Sequence, residues 1–226
     1  MTLLLGSLHG IDDFFLTCIA SIAVLFVVKM LPHTKYREKG RQIVHLSYGI
    51  LIVYSIMLWG MLEALAIASA VMLVFATVSQ LVGRGVKVPF ASHSLRHFER
   101  ADVRPFKGAI FYSIGVFLTI FLFGVLPPLL GLAPHESAVM AAVLVLAFGD
   151  SFSTAFGMAF GTMKIAENRT AEGSFAGLIA AFMICKTVIA PNMALIAAVI
   201  GMLMDWLNLP IDDNFTIPIA VAVALL

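Results

Sequence analysis

The sequence predicts an all-α fold, a polytopic bundle of about seven or eight transmembrane helices. Residues 1–226 form one integral membrane domain in this interpretation. The chain is 61% hydrophobic with a mean hydropathy of +1.03, and only 12% of its residues are charged, against roughly 25% in soluble domains. Long apolar runs in lipid must satisfy their own backbone hydrogen bonds, so each run is expected to be a helix. This composition excludes a soluble globular enzyme.

Eight apolar runs account for the predicted helices. The second and third are separated by little more than "WGMLE", and the sixth and seventh by Pro191 and Asn192, so both pairs are predicted to be tight hairpins. The last run has 12 residues, which is short for a span of about 20 residues. The runs cover residues 14–31, 43–60, 62–82, 108–130, 137–160, 173–190, 193–207 and 215–226.

The basic residues predict the orientation of the bundle. All of the 14 Lys and Arg residues except Lys186 fall at the first, third and fifth connections. Because basic loops favour the cytoplasmic side, these connections are predicted to be cytoplasmic and the N-terminus to be outside. By the same alternation, the acidic turn with Asp212 and Asp213 faces the cytoplasm. A site at this face could use cytosolic and lipid reactants together.

Asp150 follows the apolar segment "VLAFG" and lies inside the fifth run. An unpaired carboxylate within a span costs several kcal/mol, so such a residue is a candidate for function. A structural hydrogen bond is the alternative interpretation. Gly149, Gly157 and Gly161 are expected to be small residues that let helices approach closely, and Gly149 is also expected to loosen the helix end beside Asp150.

A polar segment precedes the sixth run. Thr170 or Glu172 could cap the following helix, while Arg169 and the free N–H groups of the helix start could bind phosphate. From the residues alone, phosphate binding and ordinary capping both remain open. The candidates for phosphate contact are Asn168, Arg169, Thr170, Glu172, Gly173 and Ser174.

Two further groups of residues have alternative interpretations. Asp212, Asp213 and Asn214 carry the hard oxygen ligands that Mg²⁺ prefers, although adjacent carboxylates also occur in solvated turns. Arg41 and His45 are four residues apart and would share one helix face. A buried structural histidine is the alternative for His45. Soluble-type phosphate-binding loops, dinucleotide motifs and zinc-ligand spacings are absent from the sequence.

Three motifs in order carry a resemblance: "FGDSFSTAFGMAFG", "NRTAEGSFAG" and "DDNFTIP". Together they resemble the membrane CTP-dependent lipid kinases, a family that includes dolichol kinase, phytol kinase and the yeast-type CTP-dependent diacylglycerol kinase. "RQIVHLSYG" and "RHFERADVRPFKGAIFYSIG" resemble its weaker, earlier motifs, so the resemblance spans residues 41–226. Arg169 stands where the family usually has Lys. The family is similar to phosphatidate cytidylyltransferase, whose own hallmark motif is absent from this sequence.

The resemblance implies transfer of the terminal phosphate of CTP to the hydroxyl of a membrane lipid, with an isoprenoid alcohol of the polyprenol, dolichol or phytol type preferred as acceptor. It implies that Asp150 and Asp213 are catalytic and bind Mg²⁺, with Asp212 and Asn214 as further metal ligands. The nucleotide would be bound by the 168–174 segment. Secondary candidates for nucleotide contact are Arg41, His45 and Lys107.

Two other functions remain alternatives at this stage. A cytidylyltransferase would make a CDP-lipid and pyrophosphate. A small transporter would explain an intramembrane acid, but it would favour paired inverted repeats, and the sequence shows none. The expected partners are CTP, a lipid alcohol and the bilayer, with no nucleic acid; a homo-oligomer is left open. The membrane would be the plasma membrane in a prokaryote, and the endoplasmic reticulum or a plastid membrane in a eukaryote.

Overall fold

The structure, a computed structural model, describes residues 18–19, 36–86, 88, 107–166, 169–207 and 209–226. Most of the first predicted span and most of the basic loop before Lys107 lie outside the described residues, as does Asn168. Arg41 lies in a described helix, but its side chain is outside the described part.

Helices dominate the described residues, as the sequence predicted. Two of them are interrupted by a single π-helical turn, at 121–125 and at 145–149, without ending there. The helices are α1 (Tyr36–Trp59), α2 (Met61–Gly83), α3 (Lys107–Ile120), α4 (Leu126–Leu129), α5 (Glu136–Leu144), α6 (Asp150–Phe160), α7 (Ala171–Cys185), α8 (Pro191–Trp206) and α9 (Asp213–Ala224).

Four helical segments in the described chain are long and apolar enough to cross a membrane. They agree with the second to fifth predicted spans and confirm that several membrane-type helices are present. They are Gln42–Trp59, Met61–Gly83, Lys107–Leu129 and Glu136–Phe160. The helices α7, α8 and α9 are apolar but shorter. The total number of spans and the side of the N-terminus stay predictions.

Both predicted hairpins are present. Gly60 alone separates α1 from α2, and its φ of 106° lies in the region that glycine adopts without strain. The sixth predicted run, 173–190, does not continue as one helix, because α7 ends at Cys185 and a turn follows. Ala190 is extended before Pro191, which begins α8, as expected for a residue that precedes proline.

A short β-hairpin joins α6 to α7, and no pattern in the sequence predicts it. Strand β1 (Lys164–Ala166) pairs antiparallel with β2 (Arg169–Thr170), with Lys164 opposite Thr170 and Ala166 opposite Arg169. Strands of three and two residues are too short for an alternating pattern to be visible in a sequence. The hairpin matters because it fixes the position of Arg169.

Glycines allow close contact between α6 and α7. A Cβ atom at Gly177 would lie 2.7 Å from the Gly149 carbonyl oxygen, and one at Gly173 would overlap the Ser153 carbonyl oxygen. The expectation that Gly149 loosens a helix end is wrong, because the helical segment runs through it to Phe160. A Cβ at Gly149 would instead meet the Met202 methyl group at 2.8 Å, so the residue allows helix packing, as Gly157 and Gly161 do.

Candidate functional site

Three carboxylates from three different helices meet inside the bundle. Asp150 begins α6, Asp205 lies in the last turn of α8, and Asp213 begins α9. Each offers an oxygen within 4.8 Å of the others. Asp150 and Asp205 are buried and Asp213 is half-buried. We call Asp150, Asp205 and Asp213 the acidic triad.

Arg169 lies against this triad. Its Nη2 atom is 2.5 Å from Asp205 Oδ1, 2.6 Å from Asp213 Oδ2 and 4.0 Å from Asp150 Oδ1. The pKa of Arg169 is above its usual value: burial alone would lower it, but the three nearby carboxylates raise it by more. The guanidinium therefore remains charged and offsets part of the negative charge of the triad.

Neutral side chains complete the surroundings of the triad. The Ser153 hydroxyl donates to Asp205 Oδ2 and the Thr154 hydroxyl donates to Asp150 Oδ1, each at 3.4 Å. With three carboxylates and one guanidinium, the cluster still has a formal charge of −2. A buried charge of this size is stabilised by a bound cation or by further donors.

His45 lies on the other side of Asp150. Its Nδ1 atom is 3.8 Å from Asp150 Oδ2, and the residue is only 2% exposed. The Tyr112 hydroxyl donates to the His45 carbonyl at 2.9 Å, and the two rings lie 4.4 Å apart. His45 therefore lies in the site. It was predicted to contact the nucleotide, and the structure places it next to the catalytic candidate Asp150.

The predicted phosphate-binding residues make several contacts within the protein. Thr170 caps α7 by accepting a hydrogen bond from the Gly173 amide at 3.2 Å. The Glu172 carboxylate accepts hydrogen bonds from the Thr162 hydroxyl and amide and from the Met163 amide. These bonds, that from the Thr162 hydroxyl foremost, lower the pKa of Glu172 to about 2. The Ser174 hydroxyl accepts from Trp206 Nε1 at 2.8 Å.

The other predicted residues are placed as follows. Asp212 caps α9, since its Oδ1 accepts from the Asn214 amide and side-chain nitrogen at 3.2 and 2.8 Å. Asp212 is not among the acids that cluster in the described chain. Lys107 begins α3, where its Nζ atom lies 5.7 Å from the centre of the Phe111 ring.

Sequence reasoning missed two residues of this site. Asp205 is an acid inside a predicted span, so the rule that identified Asp150 would also have identified it. Gln42 is fully buried, and its side-chain amide has no hydrogen-bond partner in the described part of the chain. It precedes His45 by three residues, and its carbonyl accepts from the Ser151 hydroxyl at 3.5 Å. A buried amide without a partner is the kind of group that a ligand can satisfy.

The triad fits a divalent metal by the chemistry of its donors. Mg²⁺ prefers oxygen ligands and commonly takes one or two carboxylates together with substrate phosphates and waters. Asp150, Asp205 and Asp213 could hold such an ion, since their oxygens already converge within 4.8 Å. The guanidinium of Arg169 beside them could contact a phosphate bound to the same ion.

Comparisons with known proteins show a sequence similarity but no function. No protein-family model matches the chain, and no solved structure matches it. The chain is similar to an uncharacterized protein of Methanocaldococcus jannaschii, with 29% identity over 189 residues. The match covers 82% of this chain and 91% of the archaeal protein, so the similarity extends over most of both chains.

Proposed function

We propose that the protein is a CTP-dependent kinase that phosphorylates the hydroxyl of a membrane lipid alcohol, with an isoprenoid alcohol as the preferred acceptor. The observation that carries the proposal is the acidic triad with Arg169 beside it, inside a bundle of membrane-type helices. Phosphoryl transfer depends mainly on positioning and on neutralising charge, and this cluster supplies both carboxylates and a guanidinium. CTP as donor and the choice of lipid rest on the motif resemblance.

The reaction balances with these residues. The acceptor oxygen forms a bond to the γ-phosphorus of CTP, the bond from that phosphorus to the β–γ bridging oxygen breaks, and CDP leaves. We assign the hydroxyl proton to Asp150, the acid of the triad that neighbours His45. Asp205 and Asp213 would hold Mg²⁺ together with Asp150. When bound, Mg²⁺ would neutralise part of the negative charge of the phosphate groups.

Arg169 has a second role in this proposal. Its guanidinium is fixed against two carboxylates, so it can present its remaining N–H groups to a phosphate in a defined orientation. This also accounts for the charge kept at a position where the family usually has Lys, since Arg forms a fork that suits phosphate.

The proposal includes a topology. The distribution of basic residues favours seven or eight spans with the N-terminus outside and the site on the cytoplasmic side. The triad joins the end of α8 to the start of α9, and Arg169 lies in the connection between α6 and α7. CTP from the cytosol would reach the site at these connections.

The test uses purified protein in lipid nanodiscs with CTP that carries a radiolabelled γ-phosphate, Mg²⁺ and a panel of lipid alcohols. We expect the label in a lipid monophosphate, with CDP as the other product. Asp150→Asn should lower turnover by about 10²–10³-fold or more, the scale on which charge-stabilising groups act. Glu136→Gln is the matched control, because Glu136 is an exposed acid at the start of the same helical segment.

Different outcomes separate the alternatives. With a lipid phosphate such as phosphatidate added to the panel, formation of pyrophosphate together with a CDP-lipid would identify a cytidylyltransferase. Label transfer by Asp150→Asn at the rate of Glu136→Gln would show that Asp150 is structural and that the proposed site is wrong. Absence of labelled lipid with every alcohol and nucleotide would contradict kinase function itself.

A further inference from the structure

We infer that a groove between α1, α2 and α3 binds the hydrocarbon chain of the acceptor lipid, with the hydroxyl end toward His45. The inference rests on the proposed function and names the place where its second substrate binds. The groove encloses about 330 Å³, which is within the range of small-molecule sites. Its walls include Ile43, His45, Leu51, Val71, Phe75 and Ser113.

The lining of the groove is mostly apolar, and polar side chains are among its buried residues. Ile43 and Leu51 at its edge are 56% and 45% exposed, and they lie on a helix apolar enough to cross a membrane. His45, Tyr112 and Ser113, which also line it, are buried. An amphiphile with one hydrocarbon chain and one hydroxyl has the same order of apolar and polar parts.

The polar part of the groove adjoins the acidic triad. His45 lines the groove and also approaches Asp150, with 3.8 Å between Nδ1 and Oδ2. A hydroxyl beside His45 would therefore be close to the carboxylate that we propose as its proton acceptor. His45 is a candidate for orienting the acceptor hydroxyl, which differs from the nucleotide contact that the sequence suggested.

The size of the groove favours a lipid chain over a protein segment. An α-helix is about 10 Å in diameter with its side chains, so 330 Å³ would hold only about 4 Å of its length, less than one turn of 5.4 Å. A single hydrocarbon chain is much thinner than a helix and can extend along such a space. The helices at the edge of the groove, α1 and α2, contain candidate membrane spans. This edge would therefore face the lipid of the bilayer.

Two valines on α2 provide a matched pair of variants. Val71 lines the groove, whereas Val74 does not line it and is 60% exposed. Val71→Trp would fill part of the space, and Val74→Trp adds the same side chain outside it. Displacing about two buried methylene groups weakens binding about tenfold or more. We therefore expect the KM for the lipid alcohol to rise about tenfold or more in Val71→Trp, with the KM for CTP unchanged and Val74→Trp kinetically like the wild type.

A binding experiment does not depend on turnover. The full-length protein in phosphatidylcholine nanodiscs, without nucleotide, is irradiated with a diazirine analogue of an isoprenoid alcohol, and the modified peptides are identified by mass spectrometry. We expect modification of α1 and α2 at the groove, loss of it in Val71→Trp and retention in Val74→Trp. A probe that lacks the hydroxyl should label the groove less, because it has no polar group to place beside His45 and Ser113.

The outcomes distinguish the groove from the proposed function. Groove labelling without phosphorylation by any nucleotide would support the lipid site and overturn the kinase proposal. Phosphorylation with wild-type KM in Val71→Trp, and with labelling elsewhere, would overturn the groove and leave the kinase proposal standing. Crosslinks from a groove residue to segment 14–31 or to a second copy of the chain would show that protein covers the groove, and would also overturn the inference.

Discussion

The contact of Arg169 with the acidic triad leads to a prediction about stability. Arg169→Met keeps an unbranched side chain but removes the charge that approaches Asp205 and Asp213 at 2.5 and 2.6 Å. The Asp205 side chain is 0% exposed, so water cannot replace the lost partner. Removing one member of a buried ion pair typically costs about 3–5 kcal/mol.

Coulombic repulsion within the triad predicts a free-energy cost of the same size. Two carboxylates 4.8 Å apart repel each other by about 3.5 kcal/mol at an effective dielectric constant of about 20. Protonation of one acid would relieve part of this repulsion, and Asp213, whose side chain is 36% exposed, remains partly hydrated. A loss of about 3–5 kcal/mol in a chain of this size lowers the unfolding temperature by roughly 10 °C.

The assay is thermal unfolding in detergent with a chelator present. The matched control is Lys164→Met, since Lys164 is an exposed cation on the same hairpin. Millimolar Mg²⁺ should recover more stability in Arg169→Met than in the wild type, because the formal charge of the cluster changes from −2 to −3. Asp205→Asn in the Arg169→Met background should also restore stability. Equal unfolding temperatures for Arg169→Met and Lys164→Met would refute the reasoning.

Three further predictions concern the triad, the buried amide and the topology. Asp205→Asn should lower turnover by about 10²–10³-fold with the protein still folded, and it should not add fully to Asp150→Asn; independent, additive losses would contradict a shared metal site. Gln42→Met should leave the unfolding temperature unchanged or higher, because it removes an unpaired buried amide, yet it should lower activity; a loss of stability would show that the amide is paired. Single cysteines at Lys164 and Ala133 should react with an impermeant thiol reagent from opposite sides, and labelling from one side would contradict the topology. Cys18 and Cys185 are buried and would contribute little background.

The chemistry-bearing residues could be found from the sequence where charge conflicts with its surroundings. Asp150 was identified because it follows an apolar run, and Arg169 and Asp213 because they lie in polar connections between such runs. Asp205 satisfies the same criterion as Asp150, since it is an acid inside a predicted span, and is therefore predictable from the sequence. The contacts of Asp205 with Arg169 and Ser153 cannot be predicted from the sequence, because they depend on how closely the helices approach.

The helix ends and the hairpin were harder to predict for physical reasons. Residues 173–190 form one predicted apolar run. Hydropathy alone therefore does not show that α7 ends at Cys185, before the turn that leads to Pro191. The π-helical turn before Asp150 cannot be recognised from its amino-acid composition, although such turns are frequent at functional sites. The sequence predicts close packing at Gly149, Gly157 and Gly161, but not at Gly173 and Gly177, where the backbones also approach closely.

The α6–hairpin–α7 unit explains why residues predicted to bind nucleotide make structural contacts instead of lying free. Glu172 holds the start of the hairpin through Thr162 and Met163, and Thr170 caps the helix that follows it. Both contacts flank Arg169 in sequence and restrict the backbone that carries it. A long, flexible side chain loses conformational entropy when it is fixed in a buried site, and a fixed backbone leaves less freedom to lose. Within this motif, Arg169 contacts the carboxylates, whereas Thr170 and Glu172 hold the backbone that positions Arg169.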